Sequence, residues 1–216
     1  MATTVEVIAD AMKAVGTPFI TGHPGGESVE LMDAARQRDM RFLLFKQEVA
    51  AAMMAATWGE ITGAPGICLS TRGPGASNMV NGVSYAALDR APLIAITDQY
   101  DPATYSTGLR QRLNQLAMYE PLVKWSTTIN AKSVHQQVRR ALRETTAPPP
   151  GPVHFEMPQS ETTREAGEYG GEAPLMANVV AIDPDRASLR APLDLIAKAR
   201  RPIILVGLGA LWGHAS

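Results

Sequence analysis

The chain has 216 residues, which is long enough for one well-buried domain of ordinary size and part of a second. Apolar residues make up 45% and charged residues 19%, and the formal net charge is −1, so a disordered chain and a basic nucleic-acid-binding surface are both excluded. One cysteine, Cys68, gives no disulfide framework, and we find neither a signal peptide nor an apolar run of about 20 residues; we therefore expect a cytoplasmic protein that does not interact with membranes.

Helical patterns alternate with short apolar runs along most of the chain. Apolar residues at i, i+3 and i+4 spacing predict a first helix over 5–15, with Thr3 and Glu6 as a capping box and Gly16 as the stop. Strands that are apolar throughout and alternate with helices predict an α/β fold, a parallel sheet with helices on both faces. Further helices are predicted over 28–38, 47–61, 76–88 and 133–144, and strands over 18–20, 41–45 (fully buried), 66–70, 92–97, 125–129 and 153–157.

The composition changes after the last of these strands. The stretch 159–185 is polar and contains glycine, which predicts an interdomain linker. A helix over 193–200 and a buried strand over 203–206 then begin a second α/β unit, and two such elements cannot close a core. The predicted organisation is a first domain over 1–160, a linker over 161–187 and the truncated start of a second, Rossmann-like domain over 188–216.

Two glycine-rich turns each follow a predicted strand and precede a helix. Their sequences are Gly-His-Pro-Gly-Gly over 22–26 and Gly-Pro-Gly-Ala-Ser-Asn over 73–78. Glycine permits positive φ and close approach of a ligand, and a helix N-terminus favours polar or anionic partners, although each turn could also be a plain βα connection. Because two such loops at neighbouring strands lie at the edge where open α/β sheets bind ligands, together they predict a ligand site.

Glu48 stands in the first turn of the alanine-rich helix. A glutamate there could simply complement the helix dipole, and a catalytic role requires a partner that needs a carboxylate. Elsewhere, Gly207-Leu208-Gly209 resembles the opening of a dinucleotide fingerprint, but Trp212 stands where the third glycine is required. The four histidines have no metal-ligand spacing, and no His-Glu-x-x-His or Gly-x-Ser-x-Gly motif occurs, so neither a metal site nor a hydrolase elbow is predicted.

Taken in order, these segments resemble the N-terminal, pyrimidine-binding domain of the thiamine-diphosphate enzymes that act on 2-oxo acids. They are most similar to the large subunit of acetolactate synthase and its relatives, and the resemblance covers about residues 5–160. The matching motifs are Gly22-x-Pro24-Gly25-Gly26; Glu48 with Ala51, Ala52 and Ala55; the segment 73–78; the segment 92–97; and Pro150-Gly151-Pro152-Val153 ending at Pro158.

The resemblance implies that Glu48 is catalytic. In this family a glutamate hydrogen-bonds to N1′ of the cofactor's pyrimidine ring and so promotes loss of the thiazolium C2 proton; the cofactor then decarboxylates a 2-oxo acid and passes the remainder to an acceptor. Small residues over 50–56 are expected to leave room for the pyrimidine and for a partner chain. The implied cofactor-binding residues are Gly22, Pro24, Gly25, Gly26, Thr71, Gly73, Pro74, Gly75 and Asn78, with Gln111 and His23 on the substrate side.

Several positions depart from the acetolactate synthase pattern. Arg110-Gln111-Arg112 stands where those enzymes have Phe-Gln-Glu, Gln47 replaces a histidine and His23 replaces a tyrosine. We therefore expect a different substrate or acceptor, with more anionic character. Three alternatives to an acetolactate-synthase-like enzyme remain. They are a sulfoacetaldehyde-, glyoxylate- or oxalyl-type relative, a non-catalytic homologue that serves as a binding or regulatory module, and a plain dinucleotide-binding protein.

The resemblance also implies groups that lie outside this chain. In the family a C-terminal domain with a Gly-Asp-Gly…Asn motif holds the diphosphate and Mg²⁺, and that motif does not occur in these 216 residues. The site forms between the pyrimidine-binding domain and the diphosphate domain of the same chain or of a second subunit. We therefore expect a homodimer or tetramer, and a chain that is inactive alone as a fragment or half of a split enzyme. Some members also hold FAD or another nucleotide in the central domain.

Overall fold

The computed structural model describes residues 2–167, 176 and 185–212, in two compact units divided after residue 177. The strands of the first unit are β1 (Phe19–His23), β2 (Arg41–Leu44), β3 (Gly66–Ser70), β4 (Leu93–Gln99), β5 (Trp125–Thr128) and β6 (Pro152–Pro158). Its helices are α1 (Thr4–Ala14), α2 (Val29–Arg36), α3 (Glu48–Thr62), α4 (Pro74–Leu88), α5 (Gln115–Tyr119), α6 (Val134–Thr146) and α7 (Gln159–Thr162).

The six strands form one parallel sheet in the order β2-β1-β3-β4-β6-β5. Side chains alternate between two hydrophobic cores, because Ile67 and Leu69 face the core of α1, α2 and α6 while Cys68 faces the core of α3, α4 and α5. The predicted α/β fold, with a parallel sheet and helices on both faces, is therefore confirmed. The prediction that 41–45 is fully buried is wrong, because β2 is an edge strand and its side chains are only partly covered.

Small residues bring helix α3 close to the sheet and to α4. A Cβ atom on Gly82 of α4 would lie 2.5 Å from Cβ of Ala52, and the carbonyl of Ala51 accepts a hydrogen bond from Thr21 Oγ1 at 2.8 Å. The expectation that this stretch leaves room for a ring and a partner chain is wrong for its buried members, which are used in packing within the unit. These members are Ala51, Ala52, Ala55 and Ala56.

Residues 161–167, which were expected in the linker, pack on the first unit. Glu161 accepts a hydrogen bond from the backbone N–H of Ala131 at 2.7 Å. The backbone of Glu165 forms an isolated antiparallel β-bridge with that of Thr3, and Ala166 is buried in the core. The first unit therefore extends past the boundary expected at residue 160. Most of the remaining predicted linker, 168–175 and 177–184, lies outside the described residues.

The second unit contains helices α8 (Arg186–Lys198) and α9 (Gly209–Trp212) among its described residues. The predicted buried strand over 203–206 is not formed, and its four apolar side chains are 76–92% exposed. No other strand occurs within 185–212, so a strand here would leave its backbone N–H and C=O groups without sheet partners. None of the described helices is long and apolar enough to cross a membrane.

A buried imidazole connects the central strands to α5. His154 of β6 stacks on Tyr119 with a ring separation of 4.1 Å, and its two nitrogens lie 2.9 Å from Thr97 Oγ1 and 2.8 Å from Ser126 Oγ. Burial lowers the pKa of His154 to about 3, because the charged form would lose its hydration. The folded protein therefore keeps this ring neutral.

Replacing His154 with Gln should weaken the acid sensitivity of folding. The unfolded chain takes up a proton on His154 below its ordinary pKa of about 6.5, whereas the folded chain does not, so wild-type stability falls as the pH drops from about 6.5 towards 3. Urea unfolding between pH 8 and pH 4.5 should show a shallower fall for His154→Gln, although the variant is less stable at pH 8 because the ring stacking is lost. Equal slopes for both proteins would contradict this assignment.

Candidate functional site

The order of the strands creates a topological switch point at the carboxyl edge of the sheet. β1 and β3 are neighbours, but β1 leads to α2 on one face while β3 leads to α4 on the other. Loops that diverge in this way leave an opening between the strand ends, which is where open α/β sheets bind ligands. The two predicted glycine loops both lie at this switch point.

Glu48, the first residue of α3, lies at this edge. Its side chain is largely buried, with 7% exposed, and Asn78 Nδ2 donates to its Oε2 at 3.3 Å. A Cβ atom on Gly75 would lie 3.2 Å from its other oxygen, Oε1. The structure therefore brings together three predicted site residues, and because a carboxylate has about four acceptor positions, the bond from Asn78 leaves capacity for a ligand.

The two glycine loops also touch each other. A Cβ atom on Gly25 would lie 2.5 Å from Thr71 Oγ1, and a Cβ atom on Gly22 would overlap the carbonyl oxygen of Leu69. Glycine at these positions is required by the close approach of the neighbouring strand and loop. Gly73 combines a turn conformation of positive φ (66°) with close packing, since the carbonyl of Gln111 lies against its Cα.

The remaining predicted cofactor positions are less constrained. Pro74 is exposed at the first turn of α4, Pro24 is half-buried, and a side chain on Gly26 would meet open space. The structure gives no packing reason for glycine at position 26.

The two predicted substrate-side residues lie at the same edge. Nδ1 of His23 is 2.8 Å from the carbonyl oxygen of Phe45, in the connection that leads to α3, and the ring is otherwise exposed. Gln111 has a positive φ of 60°, which is uncommon for a residue with a side chain and stores backbone strain. The guanidinium of Arg112 donates to the carbonyls of Tyr105 and Ser106, so it is held within its own loop.

A charged cluster between the loops was not predicted from the sequence. Arg72 Nη2 lies 2.6 Å from Glu27 Oε1, and the guanidinium lies 4.0 Å from the centre of the Tyr100 ring. Nearby, both carboxyl oxygens of buried Asp98 are within 2.8 Å of Ser28 Oγ. Burial raises the pKa of Asp98 to about 7, and the negative charge of Glu27 adds to the effect. The sequence contains one signal that could have indicated this cluster, because Glu27 and Arg72 directly adjoin the two glycine motifs.

A buried amide supports the second glycine loop, and this residue too was missed. Gln115 Oε1 accepts a hydrogen bond from the backbone N–H of Gly73 at 3.2 Å, while its Nε2 donates to the carbonyl of Asp98 at 3.1 Å. Glu156 Oε1, 3.4 Å from the same Nε2, also accepts from Gln99 at 2.7 Å. The loop is therefore fixed through a buried hydrogen-bond network that includes the ends of β4 and β6.

Two surface pockets lie away from this edge. One of about 660 Å³ is lined by α2 and β2 residues that include Met32 and Phe42, and one of about 290 Å³ is lined by residues that include Leu122 and Pro150. Neither is lined by a predicted site residue. Within the described residues, no group of three or more His, Cys, Asp or Glu side chains could hold a metal ion.

Comparison with known proteins gives a consistent result. Residues 2–118 match the family described as thiamine pyrophosphate enzyme, N-terminal TPP binding domain. The probable acetolactate synthase large subunit of Methanocaldococcus jannaschii is 31% identical over 98% of the chain, which covers 36% of that protein. Acetolactate synthase 2 of Brassica napus is 30% identical over 95% of the chain and 33% of its own length. The chain thus spans about a third of these curated relatives.

A solved structure shows the same fold. The thiamine diphosphate-dependent 4-hydroxybenzoylformate decarboxylase of Rhodococcus jostii RHA1 superposes on 99% of this chain and 41% of that chain, with a TM-score of 0.82. Its sequence identity is 22%, so the likeness concerns the fold.

Replacing Gln115 with Leu should destabilise the second glycine loop. The change leaves the backbone N–H of Gly73 and the carbonyl of Asp98 without their side-chain partner, and a buried polar group without a partner costs about 1–3 kcal/mol. Urea unfolding should show this loss, and amide exchange at Gly73 should accelerate. Gln136→Leu, on the exposed face of α6, is the matched control and should change neither quantity; an equal effect in both variants would refute the role of Gln115.

Proposed function

Because the chain belongs to the thiamine pyrophosphate enzymes and contains their N-terminal TPP-binding domain, we propose that it supplies the pyrimidine-side half of a thiamine-diphosphate active site. The proposed reaction is decarboxylation of a 2-oxo acid followed by transfer of the remainder to an acceptor, as the acetolactate synthase relatives suggest. The observation that carries the proposal is the buried carboxylate of Glu48, which lies against Gly75 and Asn78 of the second glycine segment at the carboxyl edge of the sheet.

The residues present fit a flat, nitrogen-containing ring. Glycine at 75 lets the backbone of α4 approach the carboxylate of Glu48, and this carboxylate offers an acceptor for a ring N–H. Thiamine diphosphate, when bound, supplies a thiazolium carbon that becomes nucleophilic after it loses its proton.

In the proposed mechanism, Glu48 holds a proton at the pyrimidine N1′. A hydrogen bond to a charged carboxylate is strong, and it is stronger where water is excluded, as it is around this largely buried side chain. Asn78 orients the carboxylate through its bond to Oε2. Thr71 and the backbones of the two glycine loops bind the ring and limit the access of water.

We propose that the substrate side is formed by the loop that contains Gln111, together with His23. Arg110 is exposed in that loop, whereas Arg112 is engaged with backbone carbonyls. The exposed guanidinium supports a 2-oxo acid or an acceptor with additional negative charge. We also propose that the diphosphate and Mg²⁺ are held by a C-terminal domain or by a second copy in a homo-oligomer.

Replacing Glu48 with Gln should abolish most of the activity once the chain is assembled with its diphosphate-binding half. Gln cannot carry the negative charge that holds the proton at N1′, so exchange of the cofactor C2 proton and turnover of 2-oxo acids should both fall by about 10²–10⁴-fold, the range for removal of acid–base assistance. NMR of C2 exchange in D₂O measures the first quantity directly.

The matched control for this variant is Glu60→Gln, an exposed glutamate near the end of the same helix. It removes the same charge from α3 without touching the glycine loops, and it should leave C2 exchange unchanged. Full activity of Glu48→Gln would defeat the assignment.

A panel of 2-oxo acids tests the substrate. The assembled enzyme should favour a substrate or acceptor with an extra anionic group over pyruvate, and Arg110→Gln should reduce that preference by about tenfold or more, the order expected for a charged hydrogen bond. Formation of acetolactate alone from two molecules of pyruvate, undiminished in Arg110→Gln, would refute the proposed specificity.

A further inference from the structure

We propose that Arg72 is a positioning residue that fastens together the three loops of the candidate site, 22–28, 71–75 and 100–113, before any ligand binds. The contacts of Arg72 stand independently, while the consequence for cofactor binding rests on the proposed function. Arg72 itself is not proposed to touch the reacting atoms.

The first contact joins the two glycine loops. Arg72 immediately precedes Gly73, Glu27 immediately follows Gly26, and their ion pair of 2.6 Å therefore crosses from one loop to the other. The two side chains are only 15% and 20% exposed, so water screens the pair less than it screens a surface ion pair. Glu27 Oε2 also lies 2.9 Å from the position of a Cβ on Gly25, so the carboxylate packs directly on the glycine backbone.

The second contact reaches the substrate-side loop. The guanidinium lies over the ring of Tyr100 at 4.0 Å, a cation–π arrangement, and the Tyr100 hydroxyl donates to the carbonyl of Arg110. The carbonyl of the next residue, Gln111, packs against the Cα of Gly73. The contacts thus form a closed circuit through all three loops, with Arg72 at the point where they meet.

The surroundings indicate that this arrangement is not optimised for stability. Arg72 Nε and Glu30 Oε2 are buried and make no hydrogen bond among the described residues. A buried donor without a partner is destabilising, because it has lost its hydrogen bond to water and gained no other. Arg72 also acts on the buried carboxyl of Asp98, whose pKa burial raises to about 7 and the positive charge of Arg72 lowers. The cation of Arg72, only 15% exposed and with its Nε unpaired, is therefore retained where it joins the loops.

Hydrogen exchange of the 216-residue chain tests the contacts without any cofactor. Arg72→Gln should accelerate amide exchange about tenfold in all three loops, because local opening no longer has to break the ion pair and the ring contact, while the amides of β3 stay protected. Arg36→Gln, which breaks the exposed pair with Asp33 (side chains 74% and 48% exposed), is the matched control and should affect none of the loops.

Two further variants separate the contacts. Tyr100→Phe keeps the ring under Arg72 but removes the bond to Arg110, so exchange should accelerate in 108–113 alone. Arg72→Lys keeps the charge opposite Glu27 but cannot lie flat on the ring, so it should restore protection in 22–28 more than in 100–113. A uniform acceleration that includes β3, or no acceleration in any variant, would overturn the proposal.

Titration of the same variants with thiamine diphosphate and Mg²⁺, each variant assembled with its diphosphate-binding half and followed by the NMR shifts of Gly73 and Gly75, tests the consequence. Arg72→Gln should bind about tenfold more weakly than wild type, since the loops must then be ordered upon binding. Equal affinity despite loosened loops would overturn the positioning role. If wild type shows no binding while the exchange pattern holds, the loop contacts stand and the proposed function fails.

Discussion

The candidate site depends on how closely two stretches of backbone approach each other. The end of β1 and the loop that follows it lie against the end of β3 and its loop. A single methyl group would prevent this approach at Gly22, which faces Leu69, and at Gly25, which faces Thr71. Protein interiors do not absorb such an overlap without a shift of the chain. Everything else at the edge, from the position of Glu48 to the circuit of contacts through Arg72, presupposes this separation.

Close backbone packing also fixes the position of Glu48 relative to the sheet. Helix α3 lies against β3 and α4 through alanines and glycines, and a Cβ on Gly66 would overlap the backbone of Ala55. A helix with larger side chains on this face would stand farther from the sheet, and its first residue would move away from Gly75 and Asn78. The residues that look featureless in the sequence therefore determine where the carboxylate is held.

Most of the fold could be predicted from the sequence, because the apolar runs of β3, β4 and β6 identify strands buried on both faces. Glu48 and the glycine loops were predicted because they form local motifs. The partnership of Arg72 with Glu27 could not be predicted, because it joins residues that are distant in the chain. Gln115 was missed because its helix has only five residues, too few to show a helical period. The strand predicted over 203–206 is not formed because an apolar run cannot supply the neighbouring strand that it needs.

The bond between Gln115 and the N–H of Gly73 has a consequence for the type of ligand this loop can accept. Loops that cradle phosphate leave their backbone N–H groups at a helix N-terminus free to point at the anion. At the start of α4 the Gly73 donor is already committed to an amide of the same chain, so the loop offers less to an anion than to the edge of an uncharged aromatic ring. An extended molecule with a ring at one end and a charged group at the other would therefore bind here by its ring.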